Sequence, residues 1–339
     1  EVAYDDQIGV LDTIYLTHAG QFANIPDYDP ERDPLPPYER QLEVMTETFR
    51  RNTGDPDMYP AVGLFTAEGK YNIQPTRVYG HIIAQFNLDP ELPYGAWTLR
   101  RATELTQREL ERSGGRLDGF YYDGLSSGLN YRVEHFRYSE APPLWDPVAG
   151  KPVLNNFFDS CAFARAAAEQ LHPVGQVTMM NGAFGSSCFI APWLDLFGGE
   201  VGLRISRENM NYLRTIARNK PMLTLLKGNF EKNIRRDDIE LFMKRTLAYG
   251  IFPGFFDWSP SGLGPGGRYW DHPEYYERDR DLHRKYQPLV QTLAAAGWEP
   301  LTHVRSSDPR VFVERYGPGE DGIVWLTLLN EYGEARATT

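Results

Sequence analysis

The chain reads as an α/β protein: a (β/α)8 TIM barrel over residues 1–300, followed by the start of a C-terminal antiparallel β domain over residues 301–339. Three observations predict this. Apolar runs of strand length alternate with amphipathic segments of helical period. Polar residues recur at one end of the apolar runs, where a barrel carries its working groups. Past the last long helical segment the pattern switches to a period of two. With 339 residues, 41% hydrophobic and 13% aromatic, the chain is long enough to bury a core of that size.

The elements follow in order. "GVLDTIYLTHAG" reads as a first strand and Pro37–Asn52 as a helix with proline at its start. "YPAVGLFTAEG" and "RVYGHIIAQFN" read as the second and third strands, with no helix between them, and Trp97–Arg112 as an amphipathic helix. Leu117–Asp123 is the fourth strand, Phe157–Leu171 a helix, "GQVTMMNG" the fifth strand and "PWLDLFGGE" the sixth. A helix at Arg207–Arg218 leads to "KPMLTLLKGNF" and one at Asp237–Tyr249 to "GIFPGFFDW", which make strands seven and eight. A last helix, about Tyr275–Ala296, closes the barrel. "RVFVERYG" and "GIVWLTLLNEYG" then alternate around the turn "PGEDG" and begin a small β domain that continues past Thr339, since a lone hairpin is marginal in water.

Charge and motifs narrow the function. The balance of 35 basic and 46 acidic residues gives −11, which argues against nucleic acid or an anionic membrane as partner. No apolar run reaches the roughly 20 residues that span a bilayer, so a soluble chain is expected. Cys161 and Cys188 offer neither a disulfide framework nor zinc spacing, and the seven histidines are scattered. There is no nucleophile elbow or P-loop, and "SGLGPGG" does not open a helix after a strand. No cofactor or metal is implied. The 20 tyrosines, 18 phenylalanines and 7 tryptophans suit a carbohydrate partner, because a sugar packs its C–H face on rings and offers hydroxyls to polar groups.

"LDGFYYDGLSSG" carries the sharpest signal. Leu117, Gly119, Tyr121 and Asp123 share one strand face, so Asp123 points into the barrel mouth, where a carboxylate needs hydrogen bonds or a function. Glycosidic chemistry requires a second acid. Glu200, after a glycine pair, is the favoured acid; Asp195 within the same strand and Asp257 at the end of strand eight are the alternatives. Asn181, Arg204, Lys227 and Asn229 are candidate hydroxyl ligands, and Tyr121, Tyr131, Trp193 and Trp258 candidate stacking platforms. The segment Leu129–Val153 is expected to form a rim or lid.

In "FYYDG", "FGGE" and the β segment with "VFVERYG" and "WLTLLNEYG", the chain resembles the retaining α-glycosidase barrels, the group that includes α-galactosidases, α-glucosidases and endo-α-N-acetylgalactosaminidases. The likeness covers Leu11–Trp298. It implies Asp123 as nucleophile, Glu200 as acid/base and an oligosaccharide or glycoside as substrate. The K-W-D strand of the α-galactosidases and the W-x-D-M-N site of the α-glucosidases are both missing, which leaves the sugar open. A non-catalytic carbohydrate-binding barrel is the competing expectation.

Overall fold

A computed structural model describes residues 2–8, 11–17, 21–29, 32–75, 81–123, 125, 128–181, 185–257, 272–331 and 334–339. They fall into two compact units, the first spanning Glu1–Asn181 with Gly185–Leu194 and the second Asp195–Thr339.

The first unit holds the helices α1 (Val2–Ile8), α2 (Tyr38–Thr53), α3 (Met58–Val62), α4 (Pro93–Ser113) and α5 (Phe157–Leu171), and the strands β1 (Thr13–Thr17) to β9 (Val177–Met180). The long helices end where the chain dictates. Pro37 precedes α2 and Pro93 opens α4, while Gly54 (φ 80°) and Gly114 (φ 70°) stop them in the left-handed conformation that glycine adopts without strain. α2 packs through Val44, Met45 and Phe49.

Three parallel strands run side by side in the order β1, β5 (Gly119–Asp123), β9. Thr13 pairs with Gly119, Thr17 with Asp123, and Gly119 with Val177. Side chains alternate: Phe120 and Tyr122 are buried, and the Tyr122 ring meets Phe163 of α5 edge-on at 5.5 Å. Tyr121 and Asp123 occupy the opposite, half-buried face.

In the second unit β10 (Leu196–Val201), β11 (Met222–Gly228) and β12 (Phe252–Asp257) are also parallel. Buried Met222, Thr224 and Leu226 alternate with half-buried Leu223, Leu225 and Lys227. Helices α6 (Arg207–Ala217), α7 (Arg236–Ala248) and α8 (Pro273–Ala296) complete the alternation, with Phe242 of α7 against Phe255 of β12 at 6.0 Å. Ser206 caps α6, its hydroxyl accepting from the Asn209 amide at 3.1 Å. The C-terminal sheet has three strands, β13 (Trp298–Glu299), β14 (Val311–Tyr316) and β15 (Trp325–Asn330). It is tied to α7: the Tyr316 and Thr327 hydroxyls both donate to the Ala248 carbonyl, at 2.8 and 2.7 Å. Trp298 and Tyr316 share a core with Leu293 of α8.

The expected eightfold alternation is met in part. The described residues hold six parallel strands, three in each unit, and the expected second and third strands are not among them. The second begins inside α3, which buries Met58, Tyr59 and Val62, and forms isolated bridges at Gly63 and Phe65. The third survives as β4 (His81–Ala84), antiparallel to both β2 (Gln21–Asn24) and β3 (Ile73–Pro75). Residues 76–80 alone separate β3 from β4, whereas a parallel crossover needs about a dozen residues. The C-terminal pair gained a third strand and a helical support, which answers the instability of a lone hairpin.

Leu129–Val153 is built into the fold as the strands β6 (Leu129–Asn130), β7 (Leu144–Asp146) and β8 (Lys151–Asn155). Buried His135 anchors it. Asn130 Oδ1 accepts from the Phe65 and Arg132 amides, so its Nδ2 donates to His135 Nδ1 at 3.0 Å, and His135 Nε2–H donates to the Ala61 carbonyl at 3.0 Å. Burial holds this imidazole down at about 4, and a proton at Nδ1 would face another donor.

Two predictions follow from this packing. A Cβ at Gly119 would stand 2.0 Å from the Val177 carbonyl oxygen, so Gly119→Ala should destabilise the protein by roughly 1–3 kcal/mol in urea unfolding, as overpacking does. Gly202→Ala, with open space around it, should change little. For His135 the folded value lies below the ordinary 6.5, so the unfolded chain binds the extra proton and stability falls as pH drops from about 6.5 to about 4. Burial raises Asp89 and Asp159 to about 6, and their contribution has the opposite sign, so the variant is compared with wild type. His135→Gln should be less stable near neutrality by about 1–3 kcal/mol and lose less across that window; equal slopes would remove His135 as the cause.

Candidate functional site

Two polar clusters stand at the C-terminal ends of parallel strands, one in each unit. The first is centred on Asp123. Because β1 and β5 are in register, Tyr15 lies beside Tyr121 and Thr17 beside Asp123. The Asn181 amide extends the ladder by donating to the Tyr122 carbonyl at 2.9 Å, which sets Asn181 alongside Asp123. Both carboxylate oxygens are then occupied: Asn181 Nδ2 donates to Oδ1 at 3.0 Å, and the Tyr15 phenol donates to Oδ2. Asn181 is 6% exposed and Tyr15 50%. The Tyr15 and Tyr121 rings meet edge-on, with centroids 5.2 Å apart. The corner therefore offers an oriented carboxylate beside an accessible aromatic surface, which suits a ligand with both hydroxyls and apolar faces.

The second cluster pairs Glu200 with Lys227. Glu200 is opposite Leu225 in the β10–β11 register, so Lys227 lies two residues farther along the neighbouring strand on the same face. Its ammonium donates to Glu200 Oε2 at 2.9 Å, with both side chains about one third exposed. The Lys227 ammonium also lies 5.8 Å from the centre of the Phe256 ring.

The other sequence candidates are dispersed. Asp195 precedes β10 at the strand's N-terminal end, beside Lys220, whose amine burial lowers despite that carboxylate. Five residue steps, about 16 Å at the usual rise, separate it from Glu200. Trp193 ends the 3-10 turn Gly185–Trp193, and its carbonyl accepts from Thr178 at the start of β9. Tyr131 is committed to Asp146 in the β6–β8 region. Arg204, exposed after β10, lines a hollow of about 530 Å³ with Ser206, Arg207, Arg245 and Glu331. Asn229 accepts from the Lys232 amide at 3.0 Å and shapes the turn after β11. Asp257 is the last residue of β12; Trp258 and the "SGLGPGG" segment lie outside the described residues.

Tyr15 is the residue that sequence reasoning passed over. The signal was present: it shares the period-two face of "TIYLT" with Thr13 and Thr17, as Tyr121 shares one with Asp123. Among the described residues no group of three or more His, Cys, Asp or Glu side chains is placed to hold a metal ion, and no helix is long and apolar enough to cross a membrane.

No family model matches the chain, and no curated protein matches it. Among solved structures it is similar to a noncanonic maltogenic α-amylase from Thermotoga neapolitana, with a TM-score of 0.47 and 12% sequence identity over 96% of this chain. The chain spans 66% of the length of that structure.

Proposed function

We propose that the protein is a glycoside hydrolase acting on α-linked sugars with retention of configuration, with Asp123 as nucleophile and Glu200 as acid/base. The observation that carries this reading is the state of Asp123: a half-buried carboxylate at the C-terminal end of β5, with each oxygen held by a neutral donor and an accessible tyrosine ring beside it. Neutral donors orient a carboxylate without cancelling its charge, which is what a nucleophile facing a developing sugar cation needs.

The reaction runs in two displacements. An Asp123 oxygen bonds to the anomeric carbon while the bond to the leaving oxygen breaks, and that oxygen takes its proton from Glu200. Water then attacks the same carbon, gives a proton to Glu200 and displaces the Asp123 carboxylate. Glu200 is preferred to Asp195 because it lies toward the C-terminal end of β10, whereas Asp195 precedes the strand. Lys227, hydrogen-bonded to Oε2, orients the carboxyl.

The test is a panel of aryl α-glycosides. Asp123→Asn should abolish turnover while changing stability by no more than about 1 kcal/mol, as expected when one neutral hydrogen-bonding group replaces another; retained activity would remove Asp123 as nucleophile. Glu200→Ala should slow substrates with poor leaving groups by about 10²- to 10⁴-fold, the usual contribution of general acid catalysis, and spare the glycosylation step of a dinitrophenyl glycoside. Azide should partly restore its turnover with retained configuration. Leaving-group dependence and rescue in Asp195→Ala instead would reverse the two assignments.

A further inference from the structure

The grip on Asp123 is asymmetric. Oδ1 is held by Asn181, which is 6% exposed, while Oδ2 is held by Tyr15, which is 50% exposed. The Oδ2 donor is thus the more exposed of the two, and Oδ2 is assigned as the oxygen that bonds the anomeric carbon. Resting on the reading of Asp123 as nucleophile, we infer that Tyr15 is a catalytic residue of the second displacement, its phenol O–H donating to Oδ2 as the carboxylate departs from the sugar.

The argument follows the charge on Oδ2. In the free enzyme Oδ2 belongs to a carboxylate and accepts a strong, charge-assisted hydrogen bond. In the glycosyl-enzyme it is the bridging oxygen of an ester, a much poorer acceptor, so the Tyr15 bond weakens. When water attacks the anomeric carbon, the carbon–Oδ2 bond breaks, its electron pair returns to the carboxylate, and the water proton passes to the acid/base residue. Tyr15 keeps its own proton throughout and donates it as a hydrogen bond to the charge reappearing on Oδ2. The interaction thus stabilises the free carboxylate, and the transition state leading back to it, relative to the covalent intermediate.

Removing only the hydroxyl isolates the effect. Tyr15→Phe retains the ring and its edge contact with Tyr121, so the corner keeps its packing. The intermediate should then be favoured by roughly 10- to 100-fold, the worth of one hydrogen bond to a charged group.

The probe is the 5-fluoro-α-glycosyl fluoride of whichever sugar the wild type turns over, followed by mass spectrometry of the intact protein and of its Asp123 peptide. Wild type and Tyr15→Phe should both acquire the adduct, at rates within about threefold of each other. Reactivation of the purified adduct should be about 10- to 100-fold slower in Tyr15→Phe. With an aryl glycoside whose second step limits turnover, kcat and KM should fall together and kcat/KM should hold, because kcat/KM reports only the first displacement. Equal reactivation rates would overturn the inference, as would a fall in kcat/KM at unchanged KM, which is the mark of an aspartate that is merely misoriented. These outcomes stand apart from failure of the underlying reading: if wild type turns over no glycoside, or forms its adduct on a residue other than Asp123, the nucleophile assignment falls and Tyr15 falls with it.

Discussion

The parallel ladder of β1, β5 and β9 fixes the candidate site, because strand alternation allows only one set of side chains to face each way. With Thr17 opposite Asp123 and Gly119 opposite Val177, Phe120 and Tyr122 enter the buried layer and Tyr15, Tyr121 and Asp123 take the other face. A slip of one residue would bury the carboxylate and expose two aromatic rings. Gly119 guards this register, since its missing side chain lets β5 approach the Val177 carbonyl. The position of Asn181 follows from the same ladder, through its amide bond to Tyr122. Neither partner of Asp123 is near it in sequence; both are delivered by backbone pairing.

Much of this was legible in the residues. The helix at Phe157–Leu171 has the bounds that its apolar spacing indicates, and α2, α6, α7 and α8 each begin and end within about two residues of the expected positions. All six parallel strands were legible as apolar runs, and Tyr121 and Asp123 share a face as the alternation indicates. These elements share a property: their burial pattern repeats over enough residues for the period to be unambiguous.

Where the reading departed from the structure, the signal was short or non-local. "MYPAV" is five residues of apolar sequence that helix and strand can both bury, and proline in a first helical turn is no obstacle to helix. "HIIA" reads as a strand and is one, but its direction depends on the length of the connection before it. The third C-terminal strand is two residues long and has no period to read. Tyr15 was visible as a strand residue, but its role depends on a partner 108 positions away, which no local pattern can supply.

The two carboxylates are held by donors of different kinds, and the difference bears on what each can do. Asp123 receives one phenol and one amide, both neutral, so its negative charge is oriented and undiminished. Glu200 receives an ammonium at Oε2, which opposes its charge. A group that must bond to or stabilise a cation is served by the first arrangement, because a nearby cation would compete with the substrate for the same field. Exchanging the proposed roles would set a carboxylate already paired with an ammonium against the sugar cation. Under the proposed roles, the neutral donors around Asp123 therefore favour it over Glu200 as the group that faces the sugar cation.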